Sequence, residues 1–477
     1  MSISPTVPSL RRVGFIVDHP KRDLPGGVML AHALGALGIE TALVPLYDQA
    51  VDVPLLGLDA LIVNYARPVN LELVRGYRDA GLPVWVLDTE GGVLANDGAN
   101  SPDQLASYIR ESGYGQLLSG YFFWGSELHR SFECHSGMTA NTLHLTGCPR
   151  FDFAAPRWRG LLQHLRSGYV LVNMNFPLVN PLFAKSPQAE RETLVAAGWK
   201  MAYVDKLIND SEKILISYVE LVRRLAVKLP QQQFLVRPHP FENANFYRES
   251  FSAFPNVTVD GEGSVLNVIS NSTCVLHVNC GTAIESVMLE KLPISLEFLN
   301  TEHMAQHSTL PSEVSFQVNS EQQLLELLAD LHAVSSCFDF EVRHTDLIRP
   351  WFYLNDGQAA SRIASVLAAA IGTQPTRRKA SVSRSLASSR RSASTLQRLQ
   401  AIASNVLGSH IVGKLRATIR PQRIAKQLDL NGIGQLVQAI GKHDSSDFAC
   451  RASRSRHPLT GTGLGTVLLT PDLPRAG

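Results

Sequence analysis

A histidine stands between two prolines in Arg237-Pro238-His239-Pro240, directly after the apolar run "QFLV". Proline fixes its own φ and drives the residue before it out of the α region, so Arg237 and His239 are both held extended where a strand ends. Rigid cationic groups at such an edge suit a phosphate. The alternative is a structural histidine, since prolines also close strands for local reasons. Some forty residues on, "CVLHVNCGTAIESV" reads as strand, turn and helix. There Gly281 would let the backbone turn closely after Asn279, Thr282 would cap or begin the helix, and N–H groups and a hydroxyl would converge as an anion site. Glu285, one turn in, would accept from ribose hydroxyls, or is present because a helix start favours a carboxylate. Asn173 and Asn175 in "YVLVNMN" end another strand and would face the same cleft.

A second set is acidic. "VWVLDTEGG" places Asp88 and Glu90 after a buried run, with Gly91 and Gly92 to turn the backbone sharply. A carboxylate there would deprotonate an acceptor hydroxyl or attack a sugar carbon; the plainer reading is an aspartate that caps the next turn. "HLTGCPRFD" puts Gly147, Arg150 and Asp152 near a hinge. His129, His135 and His144 lack metal-ligand spacing and read as structural. The six scattered cysteines contain no C-x-x-C pair and suggest neither a disulfide framework nor structural zinc. "VDHPKRDLPGG", after the first strand, lacks G-x-G-x-x-G, which disfavours a nicotinamide or flavin cofactor.

These residues need scaffolds that expose strand ends. Residues 13–155 alternate apolar runs ("VGFIVD", "TALVPLY", "ALIVNYA", "VWVLDTE", "YFFWGS") with helical patterns, the signature of a parallel sheet covered on both faces. After the linker-like "APRWRGLLQHLRSG" the alternation restarts with "YVLVNMN", "QFLVRPH", "CVLHVN" and "PISLEF", and "WFYLNDGQAASRIASVLAAAI" closes it with a helix. The expectation is α/β, two tandem doubly wound Rossmann-like domains over 1–155 and 156–372, with ligands at the carboxyl ends of the strands. At 477 residues, 45% hydrophobic and 18% charged, the chain can bury two such cores.

A net charge of +2 conceals a basic end: residues 373–477 carry about four times as many basic as acidic side chains. Composition assigns 373–396 and 443–477 to disorder, and "LQRLQAIASNVLGSH…GQLVQAI" between them to one or two amphipathic basic helices able to rest on an anionic membrane surface, or to a solvated appendage. The apolar run near the amino terminus is too short for a signal peptide, and no stretch approaches the ~20 apolar residues that span a bilayer, so a cytoplasmic protein is expected.

The series "DTEGG", "FFWG", "TGCPRFD", "YVLVNMNF", "RPHPFE", "NCGTAIES" and "WFYLNDGQAASRI" resembles the bacterial surface carbohydrate biosynthesis proteins, a branch of the two-Rossmann-domain (GT-B) glycosyltransferases. Its R-P-H-P step is similar to the His-Pro motif of bacterial sialyltransferases and of Kdo transferases. The resemblance spans residues 13–371. It implies that His239 meets the phosphate of a cytidine nucleotide, that Thr282 with neighbouring N–H groups completes the cradle, and that Glu90 or Asp88 acts on the acceptor. The relatives have a D/E-D/E-G pattern where this chain has Asp88-Thr89-Glu90-Gly91. The implied activity is transfer of a nonulosonic or Kdo-type sugar from a CMP-linked donor to a surface glycan. The partners would be that donor and a glycan acceptor, with no separate cofactor, no metal and no nucleic acid. A UDP-sugar transferase or nucleotide-sugar epimerase is the rival within enzymes, and a non-catalytic membrane-surface scaffold the rival outside them.

Overall fold

The apolar runs fold as two parallel sheets, seen in a computed structural model that describes residues 10–92, 101–162, 166–184, 186–196, 199–372, 425–458 and 460–472. The chain divides into two units, residues 1–91, 105–152 and 356–477 in the first and 92–104 and 153–355 in the second. In the first, β1 (Arg12–Val17), β2 (Glu40–Pro45), β3 (Ala60–Val63), β4 (Val84–Leu87), β5 (Gly120–Phe123) and β6 (Leu143–Leu145) pair in the order β2-β1-β3-β4-β5-β6, all parallel. Every residue of β3, β4 and β5 is buried, as a sheet covered on both faces demands. The strand order reverses beside β1, so the crevice at the carboxyl ends of β1 and β3 is the natural ligand position of this sheet.

Residues 356–372 group with the first unit. The cause is local: buried Asp152 accepts from the Ala359 and Ala360 backbone N–H groups at 3.0 and 2.9 Å, capping the helix Ala359–Gly372, and the Arg362 Nε donates to the Thr146 carbonyl.

The second unit holds β7 (Tyr169–Asn173), β8 (Phe234–Arg237), β9 (Val257–Val259), β10 (Ser272–His277), β11 (Leu292–Leu296) and β12 (Phe316–Val318), parallel in the order β12-β11-β10-β7-β8-β9. The helix Met201–Lys228 buries Val204, Leu207, Ile214, Tyr218, Leu221, Val222 and Leu225, a stripe at three- and four-residue spacing. Tyr218 carries its hydroxyl to the Leu276 carbonyl at 2.8 Å. Here the order reverses at β7, which places the ends of β7, β8 and β10 side by side.

The carboxyl-terminal segment corrects the composition-based expectation. Residues 443–458 and 460–472 are folded: β13 (Ala449–Arg456) and β14 (Gly463–Asp472) form a hairpin, and β14 pairs antiparallel with β2, extending the first sheet to eight strands. Leu464, Val467 and Leu469 turn into the core, and buried Asp52 accepts from the Thr466 N–H at 3.0 Å and hydroxyl at 2.8 Å. The arginines that give the segment its tail-like composition, Arg451, Arg454 and Arg456, lie on the outermost strand, where charge blunts a sheet edge. The helix Leu430–His443 is amphipathic as expected, but Ile433, Val437 and Ile440 are buried in packing against the helix Leu24–Ala36, so that apolar face is not offered to a membrane. Residues 373–396, and the helical pattern read before 425, lie outside the described residues. Among the described residues no helix is long and apolar enough to cross a membrane.

Candidate functional site

In the second unit the nucleotide-site candidates sit at the carboxyl ends of three adjacent strands. Asn173 ends β7, Arg237 ends β8 with His239 two residues on, and Asn279 to Thr282 follow β10. Their roles differ. The His239 N–H donates to Glu242 Oε2 at 2.6 Å, and its ring Nδ1 accepts the Phe241 N–H at 3.2 Å. An Nδ1 that accepts leaves the hydrogen of the neutral, half-buried ring on Nε2. Buried Arg237 is engaged elsewhere: its two terminal nitrogens donate to the Glu262 and Gly263 carbonyls at 2.8 Å each, so the fork braces the loop after β9 instead of standing open to a phosphate. Burial lowers its guanidinium, with Asp260 and Glu285 pulling the other way.

Glu242 has no role in the sequence reading, yet it organises this edge. Buried to 3%, it accepts from the Phe176 N–H at 3.1 Å, the Tyr247 hydroxyl at 2.5 Å and the His239 N–H. The loops after β7 and β8 are joined again by Leu182 N–H to the Phe241 carbonyl and Asn243 N–H to the Asn180 carbonyl. Burial pushes the Glu242 carboxyl up to about 7, against the hydrogen bonds that pull it down. The local signal for it is an acid three residues after a His-Pro step.

After β10 the turn is not made as Gly281 suggests. Gly281 has an ordinary right-handed backbone, φ −58°, and the left-handed residue is Asn279 at φ 45°. Asn279 tolerates this because its short amide bonds locally, here to the Met304 carbonyl. Asn173 Nδ2 and the Thr282 hydroxyl both point to the buried Cys280 sulfur, at 3.1 and 3.3 Å. Beneath them His277, fully buried and held neutral with its pKa lowered to about 4 by burial, accepts the Cys280 N–H at 3.4 Å and meets Ser315 at 2.8 Å. Gly281 and Thr282 are half-buried, Asn175 is exposed, and Glu285 is 2% exposed, so Glu285 belongs to the floor of the edge.

In the first unit the two acidic candidates separate. Asp88 is 2% exposed and occupied on all sides: Arg67 at 2.8 Å, the Tyr121 hydroxyl at 3.1 Å and the Glu90 N–H at 3.0 Å. It is both the turn cap of the plainer reading and half of a buried ion pair. The small cavity behind it, about 20 Å³, has room for one water. Glu90 extends a side chain that is 71% exposed and reaches Arg22 at 3.5 Å. The surrounding protein raises its carboxyl above the ordinary range, Asp88 and Asp18 add to this, and Arg22 and Arg67 oppose it. An accessible carboxylate at the carboxyl end of β4 suits proton transfer. Gly91 packs closely on Trp124: a Cβ there would stand 3.2 Å from the ring, a tight contact.

The first unit also contains a second His-Pro turn. In "DHPKRD" the His19 N–H donates to Asp23 at 2.8 Å and the ring Nδ1 accepts the Lys21 N–H at 3.2 Å, the same pattern of bonds as at His239. His19 is buried, and desolvation with neighbouring Arg22 and Lys426 lowers its pKa to about 4. The sequence holds the signal in the repeated H-P dipeptide at a strand's end followed by an acid three or four residues on. Among the described residues no group of three or more His, Cys, Asp or Glu side chains is placed to hold a metal ion.

No family model matches the chain, and no curated protein matches it in sequence. Solved structures match at 10–14% identity. The UDP-GlcNAc 2-epimerase of Methanocaldococcus jannaschii is 11% identical, over 75% of this chain and 99% of that one, with a TM-score of 0.44. The UDP-GlcNAc 2-epimerase of Neisseria meningitidis is 13% identical over 75% and 99%, TM-score 0.44. The wall teichoic acid polymerase TagF is 14% identical over 66% and 73%, TM-score 0.42. Likeness at this level leaves the functional reading to the residues of this chain, whose two units are each doubly wound α/β.

Proposed function

We propose that the chain is a nucleotide-sugar-dependent glycosyltransferase of surface-glycan synthesis, taking a nonulosonic or Kdo-type sugar from a CMP-linked donor. The second unit binds the donor. As the bond from the anomeric carbon to the phosphate oxygen breaks, negative charge grows on the phosphate, and the His239 Nε2–H, with Gly281 and Thr282, stabilises it. Glu90 of the first unit takes the acceptor hydroxyl's proton as the new glycosidic bond forms; Asp88 keeps the turn in place through Arg67 and Tyr121.

One observation carries this reading. His239 is fixed on both sides, its backbone by Glu242 and its Nδ1 by the Phe241 N–H, at the carboxyl end of β8, the ligand-bearing edge of a doubly wound sheet. Fixed donors of this kind gain their effect from being in place before charge develops. The test is turnover of CMP-, UDP- and GDP-linked sugars with and without a mixture of glycan acceptors. Acceptor-dependent release of CMP supports the proposal, release of UDP keeps transfer and discards the Kdo-type donor, and acceptor-independent interconversion of donor sugars replaces it with epimerisation.

A further inference from the structure

The carboxyl-terminal segment does more than extend the first sheet. Leu428 is buried, its carbonyl accepts from Arg454 of β13 at 3.1 Å, and Asp429 caps the helix Leu430–His443 through the N–H groups of Asn431 and Gly432. These fix the residues just before the helix, and among them Lys426 reaches back to the loop after β1. Its ammonium is 2.6 Å from Asp18 Oδ1 and lies over the Tyr47 ring at 5.3 Å, with the side chain only 13% exposed. The other oxygen of Asp18 accepts from Arg22 at 2.8 Å. Arg22 also pairs with Asp23 at 2.8 Å and meets Glu90 at 3.5 Å.

We propose that Lys426 is a positioning residue for Glu90, acting through Asp18 and Arg22. This rests on the reading of Glu90 as the acceptor base. Arg22 faces three carboxylates, Asp18, Asp23 and Glu90, and one guanidinium cannot serve all three equally. Lys426 takes up one oxygen of Asp18 and leaves Arg22 free to lean toward Glu90. The exposed Glu90 side chain has no other close ion pair among the described residues, so the direction of Arg22 sets where its carboxylate rests and how readily it binds a proton. The charged groups around Glu90 are Arg22, Arg67, Asp88 and Asp18. Loss of Lys426 leaves Asp18 with one cation, draws Arg22 toward it, and adds uncompensated negative charge near Glu90; both effects favour the protonated form of Glu90. A segment whose composition suggests a solvated tail thereby tunes a group at the sheet's carboxyl edge.

The experiment reads Glu90 directly. Full-length protein labelled with 13C at the glutamate carboxyl is titrated by NMR, and the Glu90 signal is identified by its disappearance in Glu90→Gln. The Lys426→Met variant is expected to move the Glu90 midpoint up by ~0.5 pH unit or more, and Lys426→Arg to return it toward the starting value. Lys426→Gln replaces the methionine variant if that protein misfolds. An unmoved midpoint in the neutral variants overturns the proposal, as does a shift that arginine fails to reverse. Because the readout needs no substrate, it separates this inference from the functional one: full acceptor-dependent turnover by Glu90→Gln would remove the catalytic reading and leave the titration result standing.

Discussion

Glu242 is 3% exposed, and burial lifts its carboxyl from the ordinary 4.5 to about 7 in the folded chain. Below pH 4.5 the group is protonated in both folded and unfolded chains. As pH rises toward 7 the unfolded chain releases this proton while the folded chain keeps it, so the group's contribution to stability is lost through that window and stays lost above it. At 1.36 kcal/mol per pH unit the displacement corresponds to about 3 kcal/mol. The clean measurement is a difference: urea unfolding of the wild type and of Glu242→Gln at pH 4.5, 5.5, 6.5 and 8. Other groups, including Asp152, whose carboxyl is likewise raised to about 7 by burial, are common to both proteins and cancel. Glutamine keeps one acceptor for three donors and imposes a roughly constant offset. The wild-type stability minus that of the variant should therefore fall by about 3 kcal/mol from pH 4.5 to 8. A difference flat to within ~0.5 kcal/mol would refute the account of Glu242 as a buried clamp that resists ionisation.

Three further substitutions separate structural from chemical roles. Asp88→Asn strands Arg67 and should cost ~3 kcal/mol of stability by urea titration, whereas Glu90→Gln, on a side chain 71% exposed, should leave stability within ~0.5 kcal/mol while lowering acceptor-dependent kcat ~100-fold or more. The reverse pattern would reassign the base to Asp88. Thr466→Val removes a hydroxyl bond to buried Asp52 and should cost about 2 kcal/mol in the same assay; a cost below ~0.5 kcal/mol would mean that the carboxyl-terminal hairpin is not docked as described.

Much of the architecture is legible in the sequence because parallel strands buried on both faces are apolar at every position. "ALIV", "VWVL" and "YVLV" leave no other reading, and the residues just after them are found at the sheet edges. What escapes is what depends on distant partners. The hairpin β13–β14 pairs with β2 across some 400 residues of chain, and "ACRASRSR" has the composition of a disordered segment because it is an edge strand that meets water. The return of the helix Ala359–Gly372 to the first unit rests on a cap from Asp152, 207 residues away. At the sheet edges, types and spacing place His239 and Glu90 just after strands, where they lie, but give no sign that Arg237 is already engaged. A cation at a strand's end looks the same in sequence whether it waits for a phosphate or is already bound to two backbone carbonyls. Glu242 and His19 go unread for the opposite reason, since their importance lies in bonds to backbone N–H groups that no residue type announces.

The central claim is that His239 presents a fixed donor to a nucleotide phosphate, and thermal unfolding of the wild type and of His239→Ala with CMP, CDP, UMP, UDP and GDP tests it most directly. A ligand that binds only the folded chain raises its stability by ~2.7 kcal/mol at a hundredfold excess over Kd. The account predicts that cytidine nucleotides raise the Tm of the wild type in a concentration-dependent way, and that the variant, with its own Tm little changed, loses the effect. Equal stabilisation of both proteins, or none of the wild type by any nucleotide, would contradict it.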